Sequence, residues 1–398
     1  MRNLYNRNLL NVVQSGTVAL ADKVRKLEAG GRTIIPLHTG DPDFPTPEPI
    51  IKAAYEAIRS GFTHYSNSRG LEELRIAISE NLISKGSIPY SPSDEILITH
   101  GAIHAYYIAL STIAEPGDEF IMQGPTWMTH FNTVRLVGGV PVFAEGRVEN
   151  NFRVSPDDLE SKITSRTKAI IINSPSNPTG GIYTSQELKK IVDITLKHHL
   201  YLIADEVYDR ILLNEQLEFT SLASFPEIRD RLLLCNSFSK TFAMTGWRIG
   251  FLCADNKLIS QALKISQCSI TNIAPFIQKA ALVALTDKSI PASVDSMIKE
   301  YRLRANLVMN IAEKYSDSPV RIKMPQGAFY FFVNIAGLNR GNSQITAEML
   351  LDEISVAAVP GSVFGPGGEG YLRLTVAASR DNVLEGFNRL LNLKKLNP

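Results

Sequence analysis

Between about residues 94 and 255 the chain repeats one pattern, a short apolar run followed by a helix-like stretch. The runs read EILITH, EFIMQ, PVFAE, KAIIINS, YLIADE, LLLCNS and IGFLCA. Short apolar strands that alternate with helices predict an α/β layer architecture around a mainly parallel sheet. Ligands of such sheets bind beyond the carboxyl ends of the strands. Polar residues just past these runs are therefore where chemistry is expected.

The flanks differ from this middle. Residues 1–45 hold a helical stretch, ALADKVRKLEAGG, and the turn-rich TGDPDFPTPEP. From about residue 285 come a long helical region, the run GAFYFFVNI, the turn VPGSVFGPGGEG, the strand-like YLRLTVA and a terminal helix. The expected division is an N-terminal segment 1–45 joining a small domain, a large domain 46–284 and a small C-terminal domain 285–398. A chain of 398 residues is long enough for two or three domains. Its net charge of +1 indicates neither a nucleic-acid surface nor an acidic tail. Cys235, Cys253 and Cys268 form no CxxC pair and no metal-ligand cluster, which fits a reducing cytoplasm. The N-terminal run LLNVV is too short and interrupted for a signal peptide, and no stretch approaches the length of a membrane span.

Several residues stand where a site is expected. In SFSK, Lys240 follows Ser237, Phe238 and Ser239 directly behind an apolar run, a setting that a solvated lysine does not need. A lysine held in place and partly neutral is a nucleophile. Asp205 ends the run YLIA. It either caps a following helix or is a buried carboxylate that keeps a proton on a basic ring nitrogen. Tyr208 shares its face if a helical turn follows. NSPSNPTG is a turn by composition, and its Asn177 amide could donate to a phenolic oxygen. THGAIHAYY runs from strand to helix through Gly101, where free backbone N–H groups suit a phosphate. Trp127 lies beyond EFIMQ and could stack on a flat ring. Tyr65 sits in the polar stretch HYSNSRG. Arg373 interrupts the apolar pattern of YLRLTVA, and an arginine there needs an anionic partner such as a substrate carboxylate.

The order and spacing of NPTG, ADEVY, SFSKTFAMTGWRIG, GAFYFF, PGSVFG and YLRL resemble the fold-type I, class I/II aminotransferases, the aspartate aminotransferase family, over nearly the whole chain. The resemblance implies a large domain with a mainly parallel seven-stranded sheet and a smaller α/β domain built from both chain ends. It implies pyridoxal 5'-phosphate as cofactor, in Schiff-base linkage to Lys240. Asp205 would pair with the pyridine nitrogen, Asn177 and Tyr208 with the phenolic oxygen, and Trp127 would stack on the ring. Gly101, Ala102, Ile103, Ser237, Ser239 and Arg248 would surround the phosphate, joined by Tyr65 from the other subunit of a homodimer. Arg373, Asn177 and the Gly40 backbone would receive the substrate α-carboxylate. No metal is implied.

One departure concerns the substrate. Relatives that take aspartate can carry a basic residue near the start of the phosphate-binding helix, and this chain has Ile103 there, between Ala102 and His104. Aspartate and glutamate are therefore expected to be poor donors, with His104 and Tyr106 as further pocket candidates. Three activities remain open on the sequence. The first is amino transfer from a neutral, aromatic or basic L-amino acid to a 2-oxo acid. The second is elimination and ring closure on a modified amino acid such as hydroxyarginine, as in capreomycidine synthase-like enzymes. The third, a non-enzymatic sensor domain like those of some transcription regulators, is disfavoured because Lys240 and Asp205 are both present.

Overall fold

The computed structural model describes residues 5–14 and 16–393. All seven apolar runs of the middle region are strands: β1 (Ile96–Thr99), β2 (Glu119–Gly124), β3 (Val140–Glu145), β4 (Thr167–Asn173), β5 (Tyr201–Asp205), β6 (Leu232–Ser237) and β7 (Gly250–Cys253). They form one sheet in the order β1-β7-β6-β5-β4-β2-β3. Strands β3, β2, β4, β5 and β6 pair in parallel, whereas β7 runs antiparallel to both its neighbours. The reason lies in the connection. Phe238 to Ile249 contains only turns and a short 3-10 helix, Thr245–Trp247, so no crossover helix carries the chain back for a parallel return.

Helices cover both faces of this sheet, and apolar clusters fill each side. Ile98, Ile170, Ile172 and Leu234 belong to one cluster, Leu97, Ile171, Ile203 and Leu233 to the other. Alternate residues of one strand thus face opposite clusters, as the period of two requires.

A second sheet holds β8 (Tyr330–Asn334), β9 (Val359–Pro360) and β10 (Tyr371–Thr375), with β10 central and antiparallel to both neighbours. Ile35 bridges Val356, and Ile35 and Leu37 share a core with Phe331, Leu372 and Leu374. The stretch near residue 35 therefore packs with the C-terminal strands. The same core takes Val207, Tyr208 and Ile211 from just after β5, so the two cores abut where the carboxyl ends of β4, β5 and β6 emerge.

Candidate active site

Where the cores meet lies a cavity of about 540 Å³. Ala102, Ile103, Trp127, Asn177, Asp205, Tyr208, Ser237, Ser239, Lys240, Arg248, Arg373 and Gly40, all singled out in the sequence, line it. Gly101 stands immediately behind the Arg248 guanidinium. Tyr65 is elsewhere, in an irregular stretch, 88% exposed and away from the cavity wall.

Lys240 lies in the turn after β6, half-buried, and its ammonium donates to the Gly40 carbonyl. Burial, helped by the charges of Arg373 and Arg248, lowers its pKa to about 8, with Asp41 and Asp205 opposing. An appreciable share of neutral amine therefore exists near neutral pH, as a nucleophile or base requires.

Asp205 ends β5 and is 5% exposed. No helix follows it. The next residues form a turn, and Asp205 Oδ1 accepts from the Val207 N–H at 3.3 Å, so the carboxylate caps a turn. Its other oxygen meets His130 Nε2 at 2.8 Å, and His130 Nδ1 pairs with Thr126 Oγ1 at 3.0 Å. This buried chain orients the carboxylate toward the cavity. The neighbouring carboxylate behaves differently. Glu206 accepts from the Ser221 hydroxyl and the Leu222 N–H, and burial pushes its pKa up to about 8. Successive side chains point to opposite sides of the sheet, so only Asp205 reaches the cavity.

Tyr208 sits in the turn rather than on a helix. Its hydroxyl bonds Tyr330 Oη at 2.9 Å, and burial holds its pKa well above that of a free phenol, so it remains protonated. Arg373 is 3% exposed at the centre of β10. Its Nη1 donates to Asn177 Oδ1 at 3.0 Å and its Nη2 to the His38 carbonyl at 2.8 Å, while Nε is buried without a partner. The guanidinium lies 4.3 Å from the Tyr330 ring centroid. Among the described residues it makes no ion pair, and a buried guanidinium on a cavity wall suits an anionic ligand. The Asn177 oxygen is taken by Arg373, which leaves the amide N–H groups for another acceptor.

The phosphate expectation concerns the start of the helix Gly101–Ile113. No side chain caps it, so its first-turn N–H groups remain for an anion. Gly101 has φ +75°, and a Cβ there would lie 2.8 Å from Arg248 Nη2. Only glycine lets that guanidinium sit against the helix start. Ser237 and Ser239 line the same cavity. Trp127 precedes the helix Met128–Leu136 and lines the same cavity. A flat basic ring carrying a phosphate fits these groups: cradle, aromatic wall, carboxylate and amine.

Two pocket candidates lie outside the cavity wall. His104 bonds the His100 N–H and Ser269 Oγ along its own surface. Tyr106 is buried, with its hydroxyl donating to the His130 carbonyl. Both leave the cavity because a helix exposes only one stripe to it, and at this end that stripe carries Ala102 and Ile103. Conversely, His130, His38, Tyr330 and Arg25 were not anticipated. His130 had one available signal, its place three residues after Trp127 at a helix start. The other three reach the cavity through contacts that no local pattern encodes.

The sequence profile of "Aminotransferase class I and II" matches residues 32–390. An aspartate aminotransferase of Pyrococcus abyssi is 38% identical over 94% of this chain and 96% of its own length. An aromatic-amino-acid aminotransferase 2 of Thermococcus litoralis is 36% identical over 94% of this chain and 95% of its own length. The structure of aspartate aminotransferase from Thermus thermophilus with maleate superimposes with a TM-score of 0.91 at 34% identity, covering 98% of this chain and all of that one. With a fold-type I architecture around a lysine, a buried aspartate and an anion cradle, the chain belongs to the pyridoxal-phosphate-dependent class I and II aminotransferases.

Proposed function

We propose that the enzyme transfers the amino group of an L-amino acid with a neutral, apolar or aromatic side chain to a 2-oxo acid. The observation that carries the donor class is Ile103, which faces the cavity beside the phosphate cradle and cannot pair with a carboxylate. Amino transfer itself is the shared description of the family and of the relatives, and they give the elimination and ring-closure alternative no comparable support.

When bound, pyridoxal phosphate supplies a carbonyl carbon that condenses with amines and a ring that accepts an electron pair. The chain's own residues do the rest. Arg373 takes the α-carboxylate in a charge-assisted contact, aided by the Asn177 amide, which fixes the orientation of the α-carbon. Lys240 Nζ holds the cofactor and, once released, takes the α-proton, a task suited to an amine with a pKa of about 8. Asp205, held by His130, keeps the ring nitrogen's proton in place. Tyr208 and Asn177 donate toward the phenolic oxygen. Ser237, Ser239, Arg248 and the helix N–H groups at Gly101 and Ala102 hold the phosphate, so that little has to reorganise during reaction.

The working form is a homodimer in which the partner subunit's Tyr65 completes the cradle. The exposed Ile51, Tyr55 and Ile58 support this, because they recur at helical spacing on the helix Glu48–Arg59 and form an apolar stripe suited to a second copy. Three free cysteines support a reducing, cytoplasmic setting.

The direct test is to incubate the holoenzyme with a panel of L-amino acids, with and without a 2-oxo acid, and to identify products by mass spectrometry. Amino transfer that needs the oxo acid and favours apolar or aromatic donors is expected. Product formed without an oxo acid would reinstate elimination, and efficient use of aspartate that is indifferent to Ile103→Ala would overturn the pocket argument.

A further inference from the structure

Three cations on the cavity wall, Lys240, Arg248 and Arg373, have roles in the proposed reaction. A fourth does not. Arg25, on the helix Gly16–Ala29, lines the same cavity. Its ion-pair partner is Asp22, one turn earlier on that helix, and the two side chains are 68% and 54% exposed. Exposed pairs of this kind contribute little, because water screens them and both side chains lose rotamer freedom. Asp22 is therefore easily displaced by a better-placed carboxylate.

A second residue of the cavity wall is short of a polar partner. His38 also lines the cavity and is 6% exposed, yet its ring Nδ1 makes no hydrogen bond. A buried polar atom without a partner is costly unless something polar arrives to meet it. Burial, with the charges of Arg373 and Arg25, lowers the His38 pKa to about 4. The ring is therefore neutral at neutral pH, with one N–H to donate. The charge of Arg25 is felt at His38, whose backbone carbonyl in turn accepts from Arg373. Arg25, His38 and Arg373 all line the cavity, and His38 feels the charge of both arginines.

We propose that Arg25 and His38 form a specificity subsite for a carboxylate at the far end of a substrate side chain, while Arg373 holds the α-carboxylate. Amino transfer passes two different substrates through one cavity. The wall at Ile103 serves the apolar one, and the wall at Arg25 serves a dicarboxylic oxo acid and the amino acid made from it. The distal carboxylate enters on Arg25 rather than at residue 103, so Arg25 decides whether glutamate is as poor a donor as Ile103 alone predicts. The substrate class rests on the amino-transfer reading; the anion subsite is independent of turnover.

The test is calorimetric titration of the holoenzyme with glutarate, which has two carboxylates, and with pentanoate, which has one. Arg25→Leu should weaken glutarate by about tenfold, the scale of a lost contact to a charged group, and leave pentanoate within about twofold. Arg25→Lys should retain most of the affinity. Asp22→Asn should tighten glutarate by releasing Arg25, a change of opposite sign that a merely structural role would not produce. In turnover, Arg25→Leu should raise KM for 2-oxoglutarate and not for 2-oxopentanoate. Equal weakening of both ligands, no weakening of either, or glutarate binding no better than pentanoate to the unaltered enzyme would overturn the subsite. Failure to transfer amino groups to any acceptor would defeat the amino-transfer reading instead and leave the binding comparison to decide this one.

Discussion

The cavity wall built from strand ends and the wall supplied by the helix Gly16–Ala29 hold their charged groups on different terms. At the strand ends Asp205 is clamped by His130 and the Val207 N–H, and across the cavity Arg373 is clamped by Asn177 and the His38 carbonyl, all nearly out of water. On the helix, Arg25 is paired, among the described residues, with an exposed neighbour on its own surface. Buried groups held by several hydrogen bonds are preorganised and suit chemistry that does not change from substrate to substrate. An exposed, loosely paired arginine can be engaged or ignored, which suits selection between substrates.

The largest expected effect is at Lys240. Lys240→Ala should lower turnover by at least roughly 10²–10⁴, the range for a positioned acid–base group, while binding of an amino acid to the loaded site persists through Arg373. Borohydride reduction followed by peptide mapping should find the cofactor on Lys240, and a label on any other lysine would remove the assignment. The pH sign also follows. Neutral amine is the reactive form, and the lowered pKa places its appearance near pH 8 in place of the ordinary lysine range. Reaction of the cofactor-free protein with pyridoxal phosphate should therefore rise with pH and level off above about pH 8. A rise that continued to pH 10 would show Lys240 to be an ordinary surface amine.

Next in size is the Asp205 carboxylate with the His130 imidazole that clamps it. Asp205→Ala should cost about 1.5–3 kcal/mol in cofactor binding, the scale of a charge-assisted hydrogen bond, and more in rate. His130→Gln should cost less, since it removes the clamp and leaves the carboxylate. Exchange of the substrate α-proton, followed by NMR in deuterated water, separates the two. Near-normal exchange in Asp205→Ala would break the contrast between a fixed and an adaptable wall at its strongest point.

The smallest effect is expected at Tyr65, which belongs to neither wall. Tyr65→Phe should weaken cofactor retention by about 1 kcal/mol, one hydrogen bond, and dilution that dissociates the dimer should reduce activity to a similar or greater extent. An enzyme fully active as a monomer at low concentration would show that no second copy contributes to the cradle.

Much of this protein is legible in its sequence because much of it is locally encoded. Seven apolar runs became seven strands, since a buried strand needs only a short run of apolar side chains bounded by turn residues. The polar residues that end β4, β5 and β6 reach the cavity because strand ends of a parallel sheet share one edge. Gly101 is legible as the glycine of a strand-to-helix turn, and its φ of +75° with Arg248 pressed against it shows why a Cβ is disfavoured there. The donor-side candidates fared unevenly. Ile103 lies on the cavity wall, whereas His104 and Tyr106 turn away from it, and sequence spacing alone does not say which helical stripe a cavity will meet.

What only the tertiary structure decided are the pairings between distant parts of the chain. His130 meets Asp205 across 75 residues, Arg373 meets Asn177 across 196, and Arg373 meets the His38 carbonyl across 335. Apolar periodicity and turn chemistry act over a few neighbouring residues, so the sequence by itself determined the strands, the site turns and the order of the chemical groups. Which carboxylate faces the cavity, which imidazole clamps it and which arginine stands at the far wall depend on how two cores pack together, and those contacts form only when the whole chain has closed around them.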